Sequence, residues 1–112
     1  MCGLAGVLQT NQARSRNDLR MIAELFTELL VGSEHRGPYA TGVALINASG
    51  DYYISKAPMP ASQFVASRDY RLVVDKLDCD TTLLMGHTRW PTRGSHLNNE
   101  NNHPLVSGGE HQ

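Results

Sequence analysis

No stretch of this sequence approaches the ~20 consecutive apolar residues that a membrane-spanning helix requires. An excess of one charge is also missing: ten Lys and Arg stand against eleven Asp and Glu, a net charge of -1. That balance supplies no field to gather nucleic acid or an anionic membrane, so neither is expected as a partner. Cysteine is scarce. The two present, Cys2 and Cys79, are too few and too unevenly placed for a disulfide framework. The opening MCGLAGVLQT has no charged n-region and no small-residue cleavage site, so it does not read as a secretory signal. A reducing cytoplasm is the expected compartment, and it keeps a lone thiol usable. Five histidines, at 35, 87, 96, 103 and 111, match no H-x-x-x-H or C-x-x-C spacing, so no metal site is expected. There is no internal repeat and no low-complexity tract.

What remains is ordinary for a soluble globular chain, with 40% apolar and 19% charged residues. Gly3 to Leu8 is a short apolar run and reads as a buried strand. Ser15-x-x-Asp18 has the form of a capping box. Leu19, Ile22, Ala23, Phe26, Leu29 and Leu30 then recur at helical spacing up to Gly32. Ala40 to Ala48 reads as a strand with Thr41, Val43 and Leu45 on one face and Ala44 and Ile46 on the other. The turn Asn47-Ala48-Ser49-Gly50-Asp51 returns it as a hairpin through Tyr52 to Lys56. Phe64 to Leu77 reads as a helix and Thr81 to Met85 as a strand. From Pro91 to Gln112 the composition is that of a loop, with a further strand candidate at Leu105 to Ser107.

Three segments carry chemistry. If Met1 is removed, Cys2 presents a thiol and an α-amino group on one residue. An unperturbed terminal amine has a pKa of about 8 and accepts a proton near neutrality. It then plays the part of histidine in a Cys-His pair. Taken alone, Cys2 is better read as a small hydrophobe at the start of a strand. Cys79 is the contrast, because Asp78 and Asp80 beside it disfavour a thiolate. The second segment runs Gly86-His87-Thr88-Arg89-Trp90-Pro91-Thr92-Arg93-Gly94. Here a strand is expected to end near Gly86 and a polar loop to follow. Arg89 has the planar fork that grips a carboxylate, and Trp90 has the bulk to exclude water. Taken singly, an ion pair and simple core packing account for these two residues equally well. The third segment, His35-Arg36-Gly37-Pro38-Tyr39-Ala40-Thr41-Gly42, enters a strand, and Arg36 reads as structural.

Taken in order, with Asn102-His103-Pro104 behind them, these segments resemble the class II, N-terminal-nucleophile glutamine amidotransferases. Gly-His-Thr-Arg-Trp looks most like the glucosamine-6-phosphate synthase branch, and His-Arg-Gly-Pro looks more like the asparagine synthetase branch. The resemblance implies an α+β fold, the Ntn-hydrolase four-layer αββα sandwich of antiparallel sheets, here incomplete. It implies that 1–112 is the N-terminal portion of a type-2 glutamine amidotransferase domain that continues beyond Gln112. The family's oxyanion-stabilising Asn-Gly pair and its substrate-amine Asp are expected there. Cys2 would be the nucleophile, Arg89 would hold the α-carboxylate of glutamine, Trp90 and Thr92 would belong to the closing loop, and His103 would support them. The implied partners are L-glutamine and an acceptor or synthase domain on the same or another chain, with no cofactor. The oligomeric state is left open, a homo-oligomer included. The competing reading is a catalytically inactive fragment, or a regulatory or binding module that retains the fold.

Overall fold

A computed structural model describes residues 2–10, 12–91 and 94–105. Strand β1 (Gly3–Leu8) leads to helix α1 (Arg16–Gly32), and a 3₁₀ turn at Glu34–Arg36 follows. Next come β2 (Ala40–Asn47), β3 (Tyr52–Ala57), the short helices α2 (Ala61–Phe64) and α3 (Arg68–Val74), and β4 (Thr81–Arg89). The four strands form one antiparallel sheet in the order β1-β4-β2-β3. The fold is α+β. No helix among the described residues is long and apolar enough to cross a membrane.

Local chemistry explains the start of α1. The Ser15 hydroxyl accepts from the Asp18 N–H at 3.0 Å, and the Asp18 carboxylate accepts from the Ser15 N–H at 3.3 Å. This reciprocal pair satisfies two donors that a helix start leaves without partners. The helix expected over 64–77 is shorter than that: Phe64 is the last residue of α2, and only Arg68–Val74 within the range is a second helix, α3. Val65 to Ser67 separate the two, and the Ser67 hydroxyl accepts from the Tyr70 N–H to begin α3. A serine that caps competes with a continuous helix for the same backbone groups.

Helices α1, α2 and α3 pack on one face of the sheet. Phe26 and Leu30 of α1 pack over Gly86, where an added Cβ would stand 2.6 Å from Leu30 Cδ1. Val43, Leu45 and Leu84 join them in the core, together with Phe64 of α2 and Tyr70 of α3. The Tyr70 hydroxyl also meets Thr27 Oγ1 at 2.6 Å, which ties α3 to α1.

The described residues leave the opposite face mostly uncovered, which corrects the expectation that β1 is a buried strand. Gly3, Ala5 and Val7 turn toward the helices, while Leu4 and Leu8 are 80% and 82% exposed. Shallow cavities of about 230 Å³ lie on this open face, lined by Ala44, Ile54 and Met85 in one case and by Leu4, His87 and His103 in another.

A second correction concerns β4. The sequence suggested that it ends by Gly86, yet it runs through His87 and Thr88 to Arg89. Strand pairing carries these polar residues, since β1 lies on one side and β2 on the other. Beyond it, a 3₁₀ turn at Asn99–Asn101 precedes the His103-Pro104 peptide, which is cis. Leu105 is not in a strand, and the rest of the strand candidate at 105–107 falls outside the described residues.

The 103–104 segment crosses the open face directly above Gly42. A Cβ at that glycine would overlap the His103 carbonyl and come within 2.7 Å of Pro104 Cδ. Gly42→Ala should therefore cost about 1–3 kcal/mol, the usual range for overpacking against backbone. Chemical denaturation of the variant against wild type measures it. An unchanged midpoint would mean that the segment yields freely.

Candidate functional site

Three stretches far apart in sequence meet at one end of the sheet. The ladder pairs Gly3 with Thr88, which brings the chain start to the end of β4. The Cys2 thiol there points at the Trp90 carbonyl, with Sγ to O at 3.8 Å. From the other side, Pro38 bridges to Arg89, and the Tyr39 N–H donates to the Arg89 carbonyl at 3.3 Å. Close approach makes Gly37 necessary here, because a Cβ would overlap the Thr88–Arg89 peptide. The Thr88 hydroxyl donates to the Ser33 carbonyl at 2.8 Å and holds the end of α1 to the same strand.

The two cysteines are at opposite ends of β4. Cys2 is exposed. Cys79, half-buried, accepts from the Arg14 N–H at 3.2 Å, and its thiol reaches the Arg14 carbonyl at 3.6 Å. Only Cys2 stands beside the other candidate residues.

Arg89 is 5% exposed. Its Nη1 donates to Asn102 Oδ1 and its Nη2 to the Gly94 carbonyl, both at 2.8 Å. The guanidinium thus knits the loop that follows β4 onto the sheet. Trp90, next in sequence, is half-exposed and stands edge-on to Tyr39, with ring centroids 5.2 Å apart at 87°. His96 lies against the same tyrosine at 5.2 Å. Among the described residues the rings of Trp90, Tyr39 and His96 thus stand together, and of these the sequence singled out only Trp90. Thr92 lies outside the described residues.

His103 packs its ring edge-on against His87 at 4.4 Å. His87 Nδ1 is buried and has no hydrogen-bond partner among the described residues. Burial, and after it the charges of His103 and Arg89, push the His87 pKa from 6.5 down to about 4. A neutral imidazole beside the Arg89 guanidinium costs less than a second cation there.

Asn102 is the residue that the sequence did not single out by role. It is 1% exposed and bonds to Arg89 and to the loop carbonyl of His96. Its only sequence signal was its place before His103-Pro104. Asparagine in a Gly- and Asn-rich stretch reads as solvated turn, and nothing local announces its burial.

No protein-family model matches the chain. Over 107 residues, 96% of its length, it is 34% identical to a glutamine–fructose-6-phosphate aminotransferase (isomerizing) of Staphylococcus epidermidis. It is 31% identical over the same length to the Staphylococcus aureus protein of that name. The chain spans about 15% of the length of these curated relatives. Among solved structures, a complex of beta-clamp processivity factor and the little finger domain of PolIV aligns over 95% of this chain and 99% of its own. The TM-score is 0.45 and the identity 14%, a likeness too weak to bear on fold or function.

The depressed His87 pKa has a consequence for stability. Between pH 6.5 and about 4 the unfolded chain takes up a proton that the folded chain refuses. Stability from neutral His87 is therefore complete above pH 6.5 and is lost as the pH falls toward 4. Thermal melts should fall across this window, and His87→Phe, which keeps a ring against His103, should flatten the decline. An equally steep decline in the variant would assign the effect to other groups.

Proposed function

The chain belongs to the class II glutamine amidotransferase family, and we propose that it supplies the nucleophile and the substrate grip of a glutaminase site. The observation that carries this reading is the convergence of Cys2, Arg89 and Trp90 at one end of β4, with the Cys2 thiol 3.8 Å from the Trp90 carbonyl.

In this reading Met1, which lies outside the described residues, is removed. The α-amine of Cys2 then takes the thiol proton, and the thiolate attacks the side-chain amide carbon of glutamine. The tetrahedral intermediate collapses, the amine returns its proton to the leaving nitrogen, and ammonia departs. A thioester on Cys2 remains. Water attacks it with the same amine as base, giving glutamate and the free thiol. Arg89 binds the glutamine α-carboxylate through its planar fork. Trp90 and Thr92 belong to the loop that closes over the substrate, and His103 holds that loop from behind.

The ammonia passes to an acceptor on a synthase domain, as the aminotransferase name of the relatives suggests. The proposed domain is the four-layer αββα sandwich of Ntn hydrolases, working in the cytoplasm. Its second sheet would cover the face that carries Leu4, Leu8 and Met85, since exposed apolar positions grouped in this way mark a surface that something covers.

Two measurements test the site. A diazo-ketone analogue of glutamine should modify Cys2 and spare Cys79, because Cys2 is exposed and Cys79 is tied to Arg14. Peptide mapping that finds Cys79 modified first would sink this assignment. Arg89→Lys keeps the charge and loses the fork, so KM for glutamine should rise by about tenfold or more, the worth of one charged hydrogen bond. An unchanged KM would make Arg89 a structural residue that only knits Asn102 and Gly94 to the sheet.

A further inference from the structure

Asn102 uses every hydrogen-bonding group it has. Its Oδ1 accepts from Arg89 Nη1 at 2.8 Å. Its Nδ2 donates to the His96 carbonyl at 2.8 Å and to Asn99 Oδ1 at 2.9 Å. Its backbone N–H donates to the Asn99 carbonyl at 3.1 Å, and its carbonyl accepts from Lys56 Nζ at 2.9 Å. The orientation of the carboxamide follows from chemistry. A guanidinium has only donors, so the oxygen must face Arg89, and the nitrogen must face the two loop oxygens.

Fixed on three sides at 1% exposure, this carboxamide has a single pose. An arginine side chain ordinarily carries large rotamer entropy, and a rigid acceptor at Nη1 removes much of that freedom before any ligand arrives. Lys56 reinforces the arrangement from β3, because its Nζ also donates to the Pro104 carbonyl at 3.0 Å.

We propose that Asn102 is the positioning residue of the candidate site, fixing the plane of the Arg89 guanidinium in which a substrate α-carboxylate is bound. This rests on the reading of Arg89 as the carboxylate-binding group. Asn102 itself touches no substrate. It acts through Arg89, and its removal should weaken glutamine binding far more than turnover.

The test uses the intact protein and three variants. Asn102→Ala removes the acceptor of Arg89. Asn102→Asp sets a carboxylate against the guanidinium and engages it in an internal ion pair. Asn98→Ala removes the Oδ1 that accepts from the Glu100 N–H at 3.1 Å and caps the same 3₁₀ turn; it loosens the loop without removing a bond of Asn102 and serves as the matched control. Both Asn102 variants should raise KM for glutamine by about tenfold with kcat changed by less than about threefold. Asn98→Ala should lower the melting temperature with KM near wild type. Equal KM shifts in Asn98→Ala and Asn102→Ala, or no shift in either Asn102 variant, would reduce Asn102 to a loop anchor.

Failure of the underlying reading appears separately, as an absence of glutamine hydrolysis in wild type or an unchanged KM in Arg89→Lys. In that event the ¹⁵N signals of the Arg89 guanidinium decide the positioning role without any activity. Slow exchange in wild type that becomes fast in Asn102→Ala supports it, and identical exchange in the two overturns it.

Discussion

The antiparallel ladder between Gly3–Leu8 and Thr81–Arg89 is the constraint on which the candidate site depends. It closes the chain on itself between residues 88 positions apart, as the Cys2–Trp90 contact records. Closing so long a loop costs entropy, and β4 recovers it by pairing on both sides, with β1 at one edge and β2 at the other. Phe26 and Leu30 then seal the helix side over Gly86. Without that ladder the chain start has no fixed place relative to Arg89, and no chemistry shared between them is possible.

The second level of order is polar. Arg89, Asn102 and Lys56 connect the end of β4, the following loop and β3. Each brings donors or acceptors that burial would otherwise leave without partners, and such groups are costly when unmet. The network is almost closed on itself. His87, two residues before Arg89 and on the same face, stays neutral chiefly because burial disfavours its charged form, with the charges of His103 and Arg89 adding to that effect.

Much of this was legible in the sequence, and the failures have physical causes. The α1 cap was readable because its signal is local, one serine and one aspartate three residues apart. The hairpin of β2 and β3 was readable because a turn with Gly50 separates two alternating segments. The extent of β4 was not readable, since His87, Thr88 and Arg89 look like loop residues until partners on both sides are supplied. The break at Ser67 was missed because apolar spacing in that stretch fits one helix as well as two. At the site, the motif residues Cys2, Arg89 and Trp90 were legible by type and do converge. Asn102 and Tyr39 were not, since burial and ring contact arise from tertiary packing that no local pattern encodes.

Alternation along β4 has one more consequence. Thr88 faces the helices and holds α1, while Arg89, one position on, takes part in the network with Asn102. These two duties fall on opposite faces of a single strand. A deletion or insertion of one residue within β4 would exchange the faces and move hydroxyl and guanidinium into each other's place. Over evolutionary time this strand should tolerate substitutions at several positions but hardly any change in length. Length variation among descendants of this chain should instead collect in the turn at 47–51, where nothing at the candidate site depends on the residue count.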